Sequence, residues 1–170
     1  APHTGIPDYV AERHLVNYRR HFGGGSGDYL HFRTTRALVV AARRWRKIAN
    51  DRVKAVGQTM ARWETLFLVA FSGEELTQGD LARLISVEGP TIVRMLDTLA
   101  RDGLIERRQS ELDRRVTVNT ITPKGKEVIL EIMAITNVLR GDLLRDIPDD
   151  KLTTTIDTLA LILRRLDEMR

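Results

Sequence analysis

Apolar residues return at helical spacing over most of this chain, interrupted in a few places by turn residues. From Tyr29 to Val56, Leu38, Val39, Ala42, Trp45, Ile48, Ala49 and Val53 recur near every third or fourth position, which predicts one long helix. Its other side carries Arg36, Arg43, Arg44, Arg46, Lys47, Arg52 and Lys54. A solvated basic face has this composition, and so does a face turned toward a ligand pocket or a DNA backbone. Gly57 breaks the pattern. Thr59 can cap a second helix running to about Phe71, with Trp63, Leu66, Phe67, Val69 and Ala70 apolar, and Ser72-Gly73 ends it. Thr77-Gln78-Gly79-Asp80 then has the form of a capping box, with Asp80 in the place usually held by Glu. The short helix from Gln78 to Leu84 is expected to bury Leu81, Leu84 and Ile85.

Ser86-Val87-Glu88-Gly89 reads as a turn, and Pro90 suits the first position of the helix that follows. Between Pro90 and Asp102, Ile92, Met95, Leu96, Leu99 and Ala100 share one face, while Thr91, Arg94, Thr98 and Arg101 share the opposite one. Gly103 is expected to cap this helix, with Leu104 anchoring the chain after it. Two short alternating runs, Leu104 to Gln109 and Arg115 to Ile121, predict a hairpin. Val116, Val118 and Ile121 cannot all alternate strictly, which leaves the register near Thr120 open. The tip from Ser110 to Arg114 holds turn residues and no apolar anchor, so it should project into solvent. Thr122 is placed to cap a further helix with Pro123 at its first position, carrying Val128, Ile129, Ile132, Met133, Ile135 and Val138. Pro148 opens a last helix with Leu152, Ile156, Leu159, Ile162, Leu163 and Leu166.

Two short helices, a hairpin with a basic tip and a following helix make the layout of a winged helix-turn-helix. The predicted fold class is therefore mainly α with a small β-wing. A stripe of hydroxyls and arginines on the second short helix is what entry into a DNA major groove requires. A merely solvated face would also show it.

At 170 residues the chain fits one domain, or a small domain with an oligomerisation element. A hydrophobic content of 42% supports a real core, and an aromatic content of 5% favours helices with aliphatic seams. The net charge of +4 and a pI near 9.8 suit a polyanionic partner without requiring one. Arginine dominates the basic set, and its fork binds phosphate and guanine edges well. The absence of cysteine removes disulfides, thiol catalysis and thiol redox switching. His3, His14, His21 and His31 lack metal-type spacing and cysteine partners, so neither a metal nor a cofactor is expected. No Gly-rich phosphate loop follows a strand and no nucleophile pairs with a histidine outside the N-terminal segment, so catalysis is not expected. The longest apolar runs, Ala37 to Ala42 and Leu66 to Phe71, fall far short of the roughly 18 residues of a membrane helix. With no apolar signal-peptide core at the start, a cytoplasmic location is the expectation.

Residues 1–28 read as an extension, in which Asp8 can cap a short helix from Tyr9 to Phe22 and Gly23-Gly24-Gly25-Ser26-Gly27 forms a flexible linker. Beyond it, Asp113-x-Arg115, five residues, Ile121-Thr122 and the nearby Gly125 resemble the signature of the MarR family of bacterial transcription regulators, with Ile121 where that family has Leu. Pro90-Thr91-Ile92-Val93-Arg94 resembles the Pro-Ser-Leu-Val-Arg pattern of its SlyA-like members, and Trp45-Arg46 and Trp63 also fall where those have such residues. The resemblance covers roughly residues 36–167 and does not extend to the first 30. It implies a homodimer whose N- and C-terminal helices interlock, a winged-helix lobe on each side, and a bacterial, nucleoid-associated location. Residues 29–56 and 126–170 are then the dimerisation region, and residues 57–125 the DNA-binding unit. The apolar positions of the last helix are too many for one surface helix to leave exposed, although seam patterns alone do not fix an oligomeric state.

On this reading the dimer grips double-stranded DNA at a pseudo-palindromic site, with two recognition helices in major grooves about one helical turn apart. Pro90 and Thr91 open the helix, where free N–H groups and a hydroxyl favour a phosphate. Arg94, one turn on, is the candidate for base readout, most simply to guanine O6 and N7, and Thr98 follows one turn later. The family motif assigns Arg115 to a minor groove, where a narrow A·T-rich stretch attracts arginine. Asp113 then orients an arginine rather than touching DNA, and Arg114 contacts phosphate, although the two arginines could exchange roles. The resemblance further implies repression relieved by a small aromatic carboxylate or thioester bound between the dimer helices and the winged lobe. Arg43, Arg46, Trp63 and Phe67 match that pocket: arginine pairs a carboxylate and the aromatics wall a ring. Trp63 and Phe67 are also four apart on one helix, the spacing of ordinary core packing. The rival functions are an architectural, nucleoid-type DNA binder without an effector, and a protein–protein adaptor whose binding would lack salt dependence.

Overall fold

The computed structural model describes residues 26–71, 76–85 and 89–170, together with positions 16, 20 and 21. Most of the expected Tyr9 to Phe22 helix, Gly23 to Gly25, the Ser72-Gly73 stop and most of the turn from Ser86 lie outside the described residues. Helix α1 spans Ser26–Val53 and ends in a 3-10 turn, Lys54–Val56, closed by Gly57 at φ 74°. It begins three residues before Tyr29, so Ser26 and Gly27 of the expected linker are helical. Residues of low helix propensity cost little in a first turn whose N–H groups have no partner inside the helix. Helix α2 spans Met60–Phe71. Thr59 Oγ1 accepts from Arg62 N at 3.2 Å, the cap its position predicts, and Asn50 of α1 accepts from Met60 N at 3.0 Å.

Strand β1, Leu76–Thr77, leads straight into α3, Gln78–Ile85. The capping box is reciprocal: Thr77 Oγ1 accepts from Asp80 N at 3.1 Å, and Asp80 Oδ2 accepts from Thr77 N at 3.1 Å and from the Thr77 hydroxyl at 2.7 Å. These Thr77 bonds, side chain first and then backbone, hold the Asp80 carboxyl below its ordinary pKa, with Arg83 adding to the effect. Leu81 is fully buried as expected, but Leu84 is 54% exposed. A helix of eight residues turns only one narrow side to the core, and Leu84 faces the cavity beside Trp63 instead.

Helix α4, Gly89–Arg101, carries the predicted apolar face, with Ile92, Leu96 and Leu99 buried. Its end is a Schellman cap at Gly103, φ 73°: Gly103 N donates to Ala100 O at 3.0 Å and Leu104 N to Leu99 O at 2.9 Å. Strands β2, Ile105–Gln109, and β3, Thr117–Ile121, pair antiparallel from Ile105 opposite Ile121 to Gln109 opposite Thr117, and β1 adds to the free side of β3. The open question of register closes here. Val116 precedes the strand, so it is released from the alternation. Val118 and Asn119 are both buried, and Asn119 Nδ2 donates to Leu76 O of β1 at 3.2 Å.

Helix α5 spans Pro123–Leu144 and α6 spans Asp149–Glu168. Thr122 Oγ1 accepts from Gly125 N at 3.1 Å with Pro123 in the first turn, as its sequence predicts. One core lies inside the winged lobe around Leu66, Leu81, Leu96, Leu99 and Ile129; a second joins Ala49 and Val53 of α1 to Met60, Trp63 and Ile132. Outside these cores the long helices keep apolar residues on the surface. Ile48 is 48%, Val138 68%, Ile156 65% and Leu163 62% exposed.

Candidate nucleic-acid interface and ligand cavity

The recognition-helix candidate exposes Pro90, Thr91, Arg94, Asp97 and Arg101 along its outer side. Thr98 is half-buried, and its hydroxyl donates to Arg94 O at 2.8 Å, which spends it on its own helix. Asp97, absent from the sequence-derived set, takes the more outward place. Its Oδ1 accepts from Arg107 Nη1 of β2, and Arg107 Nη2 donates to Gln78 Oε1 of α3 at 3.0 Å. Arg107 thereby ties the recognition helix, the wing and the helix before it. The clue was available in the sequence: Arg107 shares a strand face with the buried Ile105, and an arginine there needs a carboxylate.

The far end of the recognition helix is bound as firmly. Thr122 Oγ1 donates to Gly103 O at 2.6 Å and Lys124 Nζ to Asp102 O at 2.9 Å, joining the helix terminus to the start of α5. Arg62 Nη2 of α2 donates to Asp102 Oδ2 at 2.6 Å and holds that carboxyl below its ordinary pKa. Gly125 fits because it has no side chain: an added Cβ would stand 2.1 Å from Leu104 O.

At the wing tip, Ser110 Oγ accepts from Leu112 N at 3.2 Å, and Val116 N donates to Asp113 O at 2.9 Å. Leu112 is fully exposed, in keeping with a tip that projects into solvent. Asp113 grips Arg115 three ways. Its Oδ1 accepts from Arg115 N at 2.9 Å and from Nε at 3.2 Å, and its Oδ2 accepts from Nη2 at 3.2 Å. The Arg115 side chain, then its backbone N–H, hold the Asp113 carboxyl below its ordinary pKa. Arg115 is nonetheless 91% exposed, a cation aimed outward on a fixed brace, and Arg114 beside it is exposed too.

The four residues predicted to surround a ligand are only partly brought together. Arg46, Trp63 and Phe67 line one cavity of about 290 Å³ with Glu64, Leu68, Leu84 and Ile85. Trp63 and Phe67 rings lie 5.5 Å apart. Arg43 lines a different cavity of about 380 Å³, which it shares with Arg46. Arg46 Nη1 already holds Glu64 Oε1 at 2.5 Å. A third cavity, about 580 Å³ and strongly apolar, lies among Leu38, Trp45, Ile48, Leu139, Leu143 and Leu159 of α1, α5 and α6. Among the described residues, no helix is long and apolar enough to cross a membrane and no cluster of three or more His, Asp or Glu is arranged to hold a metal ion.

Known proteins with this architecture share its sequence as well. Residues 59–117, from the cap of α2 to the first residue of β3, match the MarR family. The transcriptional regulator PA3341 is 33% identical, with a TM-score of 0.73 over 79% of this chain and 98% of its own. Two more distant structures, each 21% identical, share the fold at a TM-score of 0.67. They are an E. coli MarR variant complexed with operator DNA, which covers 76% of this chain and 92% of its own, and CouR from Rhodococcus jostii RHA1 bound to p-coumaroyl-CoA, which covers 81% and 91%. A winged lobe between long helices, the Asp113 to Gly125 signature and 33% identity to another regulator over 79% of this chain lead to one assignment: the chain belongs to the MarR family of transcriptional regulators.

Proposed function

We propose that the protein is a dimeric repressor that binds a pseudo-palindromic DNA operator and is released by a small aromatic acid or its thioester. The observation that carries the DNA part is the pairing, on one lobe, of an outward Arg94 with an outward Arg115 locked on Asp113. Arg94 reads a guanine edge in the major groove, Pro90 and Thr91 meet a phosphate, and Thr98 lies close behind. Arg115 enters the flanking minor groove, Arg114 contacts the backbone, and Asp113 keeps the reader in place without approaching phosphate. The exposed apolar positions of α6 and the large apolar cavity beside them support a second copy as the partner of the long helices. Operator binding by the E. coli relative and thioester binding by CouR are in line with both halves of the proposal.

The test of the DNA half is a titration of an operator selected from random duplexes. Arg94→Ala should cost about 1–3 kcal/mol and relax preference at one base position, whereas Arg115→Ala should reduce both affinity and the dependence on salt. Wild-type affinity and salt slope in both variants would sink the assignment. For the effector half, calorimetry with aromatic acids and their thioesters should show heat and a weakened DNA complex. Binding releases DNA only if it favours a lobe separation that misfits successive grooves.

A further inference from the structure

Among the described residues, the outer side of α4 carries a single acid, Asp97. It stands between Arg94 and Arg101 on the stripe that Pro90 and Thr91 begin, and its side chain is 61% exposed. A carboxylate on a face turned toward DNA is repelled by phosphate and weakens binding unless it meets a donor. The major groove holds such donors on its base edges, the N4 amine of cytosine and the N6 amine of adenine. Asp97 is fixed in a way that suits such a contact. Its Oδ1 accepts from Arg107 Nη1, and Arg107, only 22% exposed, is itself held by Gln78 Oε1 at 3.0 Å. Oδ2 accepts from no described residue and keeps both lone pairs. The wing shows the reverse arrangement. There the carboxylate of Asp113 braces an exposed arginine, whereas on α4 an arginine braces an exposed carboxylate.

We propose that Asp97 is a second base reader of α4, whose Oδ2 accepts from the N4 amine of a cytosine. The inference rests on the DNA half of the proposed function and adds one residue and one base to it. Oδ2 can only accept, so guanine O6 or thymine O4 at the same place sets acceptor against acceptor. Adenine offers an amine but puts the acceptor N7 beside it. Cytosine alone presents an amine with no acceptor on its major-groove edge. Asp97 follows Arg94 by three residues, about 4.5 Å along the helix, so the two readers fall within about two base-pair steps of each other. Arg107 offsets the charge of Asp97, which lowers the repulsion from the phosphates on either side of the groove. A pair that served only to join α4 to β2 would carry no preference for any base.

Duplexes are selected from a random pool by the full-length wild type and by Asp97→Asn, Asp97→Ala and Arg94→Ala, and the selected sites are titrated by fluorescence anisotropy. The wild type should select cytosine within about two steps of the position that Arg94→Ala relaxes. Asparagine keeps the shape but not the chemistry. Its oxygen faces the Arg107 donor, which leaves the amide NH2 as the outer group. Asp97→Asn should therefore give up cytosine for guanine or thymine, a change in relative affinity of about tenfold or more. Asp97→Ala should flatten that position and leave the others as they are, and it decides if Asp97→Asn does not fold. Replacing the cytosine by an analogue without the 4-amino group should weaken the wild type about tenfold and leave Asp97→Ala unchanged. A role limited to bracing predicts that both variants select the wild-type site and lose affinity evenly over all sequences. That result overturns the inference and leaves the DNA reading intact, as does a wild type that selects no cytosine there. If the wild type selects no sequence at all, the DNA reading and this inference fall together.

Discussion

Gly125→Ala should destabilise the protein even though alanine is the better helix former. Gly125 sits in the first turn of α5, where its N–H reaches Thr122 Oγ1 at 3.1 Å. A Cβ at this position would lie 2.1 Å from Leu104 O and 2.8 Å from Ile121 Cγ1. A relaxed carbon–oxygen contact needs about 3.3 Å, so α5 and the start of β2 must separate by about 1 Å. The obstacle is backbone, which cannot rotate aside as a flexible side-chain tip would. Leu104 O also accepts from Thr122 N at 3.1 Å, and the same displacement stretches that bond. Alanine returns at most about 1 kcal/mol of helix propensity. Overpacking costs about 1–3 kcal/mol and the strained hydrogen bond about 1 more. The net is a loss of about 2 kcal/mol, or a melting point about 4–8 °C lower for a chain of this size. Urea unfolding with an unchanged slope measures it. Gly141, in the same helix with nothing within 4 Å of an added Cβ, is the control; its alanine variant should gain about 0.5–1 kcal/mol. A Gly125→Ala protein as stable as wild type would refute the close-approach argument.

Thr77→Ala removes the two hydroxyl bonds of the capping box of α3, leaves the Thr77 N–H bond to Asp80, and should cost about 1 kcal/mol in urea unfolding, with faster amide exchange in the first turn of that helix. The Asp113 carboxyl should titrate by NMR below the ordinary value of about 3.9, because Arg115 favours its charged form. A lowered folded pKa means that the brace is complete above the ordinary value and is lost as pH falls through the depressed one; in Arg115→Ala the midpoint should move back up. Leu163→Glu, on the exposed side of α6, should shift sedimentation toward the monomer and weaken operator binding together, while an unchanged dimer would argue against α6 as the interface.

What the sequence disclosed and what it hid divide by distance along the chain. Caps at Thr59, Thr77, Gly103 and Thr122 are local chemistry, written within four or five residues, and all four form as their sequences predict. The apolar face of α4 is likewise set by spacing alone. Strand β1 has two residues and no pattern of its own; it exists because β3 offers an edge some forty residues later. The Asp97–Arg107 pair and the Trp45–Arg140–Trp63 stack join residues from separate elements, and no local rule foretells them. Thr98 shows the limit of face assignment by period. A residue at the border of a stripe can turn inward, and a threonine there can spend its hydroxyl on the preceding turn. The ligand set is the least local of these readings, because a cavity is defined by what several helices leave unfilled. Arg43 and Arg46 are near neighbours in sequence yet open onto partly different spaces, and Glu64 silences one of them.

Arg107, by holding Asp97 and Gln78 at once, makes the wing and the recognition helix a single piece. Under the proposed function, a lobe fastened in this way would move as a unit, so a ligand among the long helices would change the spacing between two lobes before it changed the reading of an individual base. Changes of operator letters and changes of operator length should then act as independent inputs to binding.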